Sequence, residues 1–171
     1  LHFVENYPIF MEGKNNFSLN SQELKSAIDQ VVFAASTNQT QPEISGVLFA
    51  LDKEGVRLAA TDRYRLAEKK LPIVLNIEHN EEVIIPQKTC IVLSRIIGNQ
   101  KGNVELCFSE TQIKVTFNET QIISRLVDGQ SPDYRQILPA NLKTNSVTER
   151  TPLINSHRTV AGVCQSGHSG V

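Results

Sequence analysis

The sequence predicts an α+β fold in which one unit, a strand, a helix and three strands, is written twice. Three observations carry this. Between residues 17 and 127 the apolar residues pass from an extended stretch to a helical stripe and on to period-two alternation, and the whole progression then restarts. Each helix has one apolar face, which needs a sheet to bury it, so two copies can share a layered core with helices on one side and antiparallel sheets on the other. Short polar turns at Asp52-Lys53-Glu54-Gly55, Ser109-Glu110 and Asn118-Glu119 punctuate the alternating stretches as hairpin turns do.

In chain order, residues 1–4 read as the end of a strand and Asn6-Tyr7-Pro8 as a connector. Residues 17–19 are extended, and Asn20 or Ser21 then caps a helix, with Glu23 in its first turn where a negative charge suits the helix dipole. The helix is expected to run to about Ser36, with Leu24, Ala27, Ile28, Val31 and Ala35 on one stripe and Gln22, Lys25, Asp29 and Ser36 opposite. Phe33 falls on the polar side, out of keeping with the stripe. A polar loop over residues 37–43 contains Pro42, and residues 44–51, 56–61 and 64–71 read as strands before a loop over 72–82.

The second copy opens with the apolar strand Val83-Ile84-Ile85. Pro86 is expected at the first position of a helix that continues to about Ile97 and stops at Gly98. Residues 104–108, 112–117 and 121–127 are again strands. Asp128-Gly129-Gln130-Ser131-Pro132 is a turn, and residues 133–138 form a short helical piece. The unit then begins a third time, with Ser146-Val147-Thr148 extended and Thr151 capping a helix whose first position is Pro152. The final Ser169-Gly170-Val171 echoes Ser45-Gly46-Val47, so the chain reads as a fragment cut inside a further domain. The expected division is residues 1–16 as the end of a preceding domain and its connector, 17–140 as the central domain, and 141–171 as the truncated start of a third.

With 171 residues, 40% hydrophobic and 20% charged at a net charge of -1, the chain has room for a sizeable core and is neither disordered nor globally basic. Any nucleic-acid contact must therefore come from a local patch. No apolar run approaches the roughly 18 residues that cross a membrane, and residues 1–10 lack the features of a signal peptide, which reads as cytoplasmic. Cys90, Cys107 and Cys164 are widely spaced with no metal-ligand pattern, so they read as reduced packing residues, with no metal and no cofactor implied. A hydrolase using His157 or His168 with Cys164 lacks a nucleophile elbow or a fixed base, and the absence of a glycine-rich phosphate loop argues against a nucleotide-driven machine.

The chemistry concentrates at Thr61-Asp62-Arg63-Tyr64-Arg65-Leu66-Ala67, a strand–turn–strand corner. The Asp62 carboxylate suits it because it accepts backbone N–H groups two residues on. Arg63, Tyr64 and Arg65 then offer a partner one aromatic face and two planar cations. Elsewhere Lys88 and Arg95 share the polar face of the second helix, opposite Cys90, Leu93 and Ile97, with Lys25 in the corresponding place on the first.

Several of these segments are familiar in their order and spacing. They are the corner itself, Gly46-Val47-Leu48-Phe49 after a helix carrying Phe33-Ala34-Ala35-Ser36, Val83-Ile84-Ile85-Pro86-Gln87-Lys88, and Ser124-Arg125-Leu126-Val127-Asp128-Gly129 followed by Ser131-Pro132-Asp133-Tyr134-Arg135. Together they resemble the bacterial DNA polymerase III beta subunit family, the sliding clamps. The resemblance covers residues 17–139 as the middle domain and extends weakly to both ends.

It implies a DNA clamp fold and a head-to-tail homodimeric ring around duplex DNA. Such a ring is not an enzyme but tethers the polymerase III catalytic subunit, the clamp loader and other motif-bearing proteins. Helix cations at Lys25, Lys88 and Arg95 would then meet phosphates without reading bases, although Asp29 weakens the field at Lys25. The resemblance also implies a partner-peptide pocket. Its middle-domain side would be Ile44, Thr61, Arg63, Tyr64, Arg65, Leu66, Pro132, Gln136 and Ile137. Ile44, Leu66, Pro132 and Ile137 would form the apolar floor, and Thr61, Arg65 and Gln136 would orient the peptide. Arg63 and Tyr64 make a bulkier, more cationic rim than the small residue and histidine of some members, and Gln136 stands where some carry arginine. The competing reading is an isolated peptide-binding module that never encircles DNA.

Overall fold

A computed structural model describes residues 10, 15–38, 40–74, 77, 79–138 and 143–166, and the side chains of residues 15, 137 and 162–166 lie outside the description. The expectations for residues 1–4, 6–8 and 169–171, and those resting on His168 or the Cys164 side chain, also fall outside it. Strand β1 (Asn15–Asn20) leads into helix α1 (Ser21–Val31), followed by strands β2 (Gly46–Asp52), β3 (Gly55–Thr61) and β4 (Leu66–Pro72). The same order then recurs as β5 (Glu81–Pro86), α2 (Gln87–Ile97), β6 (Asn103–Phe108), β7 (Gln112–Phe117) and β8 (Thr120–Arg125).

The repeats are not self-contained, because each lends its first strand to the other. One sheet has the order β1-β6-β7-β8 and the other β4-β3-β2-β5, antiparallel throughout. Two hydrogen bonds mark the exchange at equivalent places. The Ser21 N–H, first in α1, donates to the Gly102 carbonyl just before β6 at 2.9 Å, and the Gln87 N–H, first in α2, donates to the Ser45 carbonyl just before β2 at 3.3 Å. Beyond β8 the Val127 N–H donates to the Ile84 carbonyl of β5 at 2.8 Å, tying the two sheets together.

The helices pack on each other and on the sheets with their predicted stripes inward. Leu24, Ala27, Ile28 and Val31 of α1 and Cys90, Leu93 and Ile97 of α2 are all buried. In β7 the alternation is clean, with Ile113, Val115 and Phe117 buried between half-buried Gln112, Lys114 and Thr116. Strand β2 departs from it, since its first six residues are all buried. Its second face carries Leu48, in register with Ala59 and Ile84 on either side, and all three are buried.

Several boundaries differ from expectation: β4 begins at Leu66, after the turn, β5 begins earlier, at Glu81, and β8 ends earlier, at Arg125. Helix α1 stops at Val31, whose φ of -121° leaves the helical region, and Val32–Ala34 form a 3₁₀ turn. The adjacent β-branched Val31 and Val32 are weak helix formers, which favours the break there. Pro86 ends β5 and stands just before α2, and Ile44 belongs to a 3₁₀ turn (Pro42–Ile44) before β2. Of the two candidate caps, Asn20 caps α1, its Oδ1 accepting the N–H groups of Gln22 at 3.0 Å and Glu23 at 3.2 Å, and Ser21 is the first helical residue.

The residues beyond 132 form a second compact unit. It contains a 3₁₀ turn (Tyr134–Ile137), where the Asp133 side chain accepts the Arg135 N–H, and helix α3 (Arg150–Ser166). Thr151 lies inside α3 and does not cap it, in the first turn with Pro152, where free N–H groups are normal. Residues 144–149 precede it without forming a strand.

Candidate functional site

The corner between β3 and β4 is built around Asp62. One carboxylate oxygen accepts the N–H groups of Tyr64 and Arg65, both at 3.0 Å, and the other accepts Arg65 Nε at 2.9 Å. Thr61 closes the turn, its hydroxyl donating to the Arg65 carbonyl at 2.8 Å and accepting the Arg63 N–H at 3.2 Å. Desolvation pushes the Asp62 carboxyl upward, but the two N–H donors and the Arg65 charge outweigh it and hold the group below its usual value. Arg63 takes a φ of 77°, the left-handed conformation this tight turn requires, and Tyr64 is 97% exposed.

A residue the expected site did not include joins the corner. The Arg65 guanidinium carbon lies 5.8 Å from the centroid of the Phe33 ring, within cation–π range. The signal in the sequence is an aromatic residue out of place on the polar side of an otherwise regular stripe.

Of the other predicted peptide-site residues, Ile44 is already buried, with its carbonyl accepting the Ser36 N–H at 2.9 Å, and Leu66 is half-buried at the start of β4. Pro132 is exposed at the end of the first unit. In the second unit the Gln136 side chain is held by Asp133, with Nε2 donating to Oδ2 at 2.9 Å, and the Ile137 side chain lies outside the described residues.

On the helices, Lys88 and Arg95 are exposed on one face of α2, with exposed Val92 between them. Neither has a salt-bridge partner among the described residues. Lys25 differs, because it pairs with Asp29 one turn on, and Asp29 also accepts the Ser94 hydroxyl from α2. Desolvation raises the Asp29 carboxyl pKa, but Lys25 and Ser94 prevail and keep it low, so the pair persists near neutral pH. The Lys25 charge is therefore largely offset.

The described cysteine side chains, Cys90 and Cys107, are buried free thiols, and burial pushes Cys90 up to about 12. Among the described residues no His, Cys, Asp and Glu cluster could hold a metal, and no helix is long and apolar enough to cross a membrane.

Two strand–helix–three-strand repeats that exchange their first strands, with paired helices on one side of antiparallel sheets, define a DNA clamp domain, and comparison with known proteins agrees. The family model for the DNA polymerase III beta subunit, central domain, matches residues 18–133. The chain belongs to that family. It is 29% identical to the beta sliding clamp of Bacillus subtilis over 161 residues, covering 94% of this chain and 43% of that one. The beta sliding clamp of Pseudomonas aeruginosa is 29% identical over 170 residues, 98% of this chain and 46% of that one. A crystal structure of the P. aeruginosa DNA polymerase III subunit beta superposes with a TM-score of 0.74 at 31% identity, covering 80% of this chain and 38% of that one. The chain thus spans less than half the length of these relatives.

Proposed function

We propose that this chain is part of a sliding clamp: a non-catalytic, cytoplasmic, homodimeric ring that encircles duplex DNA and holds the replicative polymerase and other motif-bearing partners on it. The family match across residues 18–133 carries the reading. Two local features support it. Lys88 and Arg95 are exposed on one helix face with no salt-bridge partner among the described residues, and such positive charge attracts phosphates at any sequence. The Asp62 corner presents Arg63, Tyr64 and Arg65 on a turn fixed by its own hydrogen bonds, beside half-buried Leu66. In this reading Lys88, Arg95 and, more weakly, Lys25 face the duplex. Partner peptides dock on the first unit at Ile44, Thr61, Arg63, Tyr64, Arg65, Leu66 and Pro132.

Encirclement is topological, so it is tested by opening the DNA. The full-length chain, placed by a clamp loader on nicked circular duplex, is expected to stay bound through gel filtration and to be lost when the circle is cut once. Equal retention on circular and linear DNA, or none on either with peptide binding intact, would replace the clamp reading with that of a simple interaction module.

A further inference from the structure

Phe33 is a large aromatic side chain left 57% exposed, in the 3₁₀ turn that follows α1 and packs beside β3 and β4. Over its ring lies Arg65, whose Nε is already committed to Asp62. The Arg65 side chain is itself 58% exposed, and a surface arginine of that exposure ordinarily samples many rotamers. Here it is held from two directions, by a carboxylate of its own turn and by a ring from a separate element. Its two terminal nitrogens have no hydrogen-bond partner among the described residues, so their donors remain available.

We propose that Phe33 is a positioning residue of the docking corner. Its ring and the Asp62 carboxylate together fix the Arg65 guanidinium as a ready-made fork for an oxygen acceptor on the partner peptide. The inference rests on the corner being the partner site and adds a residue to it. The physical gain is pre-organisation: an arginine already in place loses less side-chain freedom when the peptide arrives. A leucine at position 33 would keep apolar bulk but lose the negative ring face that attracts the cation, whereas tyrosine would keep that face.

The test uses the full-length protein and a fluorescent synthetic peptide copying the clamp-binding segment of a polymerase III catalytic subunit. Phe33→Leu is expected to weaken binding by about three- to tenfold, the freedom of one long side chain, and Phe33→Tyr to stay within about twofold of wild type. In the free protein the Arg65 Nε–H resonance should carry a ring-current shift that Phe33→Leu removes and Phe33→Tyr retains, while thermal midpoints stay alike. The Phe33→Leu loss should disappear in an Arg65→Ala background, because the ring acts only through the guanidinium. Alanine replacements along the peptide, set against replacement of single amides by esters, separate a side-chain acceptor from a main-chain carbonyl. Wild-type affinity for Phe33→Leu, with Leu66→Asp abolishing binding, would overturn the role of Phe33 and leave the docking site standing. Wild-type affinity for Leu66→Asp would remove the docking site and this inference with it. An equal loss from Phe33→Leu with and without Arg65 would also overturn it.

Discussion

The side-chain amide of Gln87 donates to the backbone carbonyl of Val32 at 3.1 Å, so the first residue of α2 secures the point where α1 breaks. The reverse interaction exists as well. The Ser21 hydroxyl and Gln22 Nε2, at the start of α1, donate to the Gln100 carbonyl beyond α2 at 3.0 Å and 2.6 Å. Each helix start thus satisfies carbonyls past the end of the other, where unpaired acceptors would otherwise accumulate. Gln87→Ala removes one of two donors to the Val32 carbonyl, which also accepts the Ala35 N–H at 3.3 Å, and is expected to cost about 0.5–1.5 kcal/mol, read as a lower urea midpoint at unchanged slope.

Gly55 opens β3 with a φ of 144°, and a Cβ there would come within 2.1 Å of the Leu71 carbonyl oxygen. Both conformation and space exclude a side chain. Gly55→Ala is expected to destabilise by at least about 2 kcal/mol, visible in thermal unfolding.

Acidification should act on the corner through Asp62. Its carboxyl titrates lower in the folded chain than the ordinary value of 3.8. Its contribution is therefore complete above that value and is lost as pH falls through the lower, folded one. The stability gap between wild type and Asp62→Ala is expected to be widest near neutral pH, to narrow only below about pH 4, and to shrink with added salt because the pair is exposed. A gap that widened on acidification would contradict this.

The charge pattern on the helices separates three cations. In the full-length protein, Lys88→Glu with Arg95→Glu is expected to weaken duplex binding at every sequence. It should also flatten the salt slope, by nearly one unit for each phosphate that is no longer neutralised. Lys25→Ala should do less, because Asp29 already offsets Lys25. An unchanged slope in the double variant would remove Lys88 and Arg95 from the DNA surface.

Local features are legible in the sequence and long-range ones are not. The alternation of Ile113, Val115 and Phe117, the Asn20 cap and the Asp62 turn each depend on residues a few positions apart, so pattern and side-chain chemistry suffice for them. The strand exchange does not, because nothing in β1 distinguishes β6 as its neighbour from a strand of its own repeat. The carbonyl of Val32, where α1 stops, is held by Gln87, more than fifty positions away. Gln22 reads as one more solvated residue on a polar face, yet it serves the carbonyls beyond α2. Phe33 is visible as an anomaly, but its contact with Arg65 from the β3–β4 corner is not.

The most direct measurement is the affinity of a polymerase-derived peptide for the full-length wild-type chain and its Leu66→Asp variant, with Lys25→Ala on helix α1 as the control. An anchoring apolar residue fully buried at the corner contributes roughly 1.5–3 kcal/mol, and a charge in the floor cancels it and adds a desolvation cost. Binding is expected to be lost in Leu66→Asp and kept in Lys25→Ala. Equal affinity of wild type and Leu66→Asp, with both folded, would contradict the assignment of the corner as the partner site.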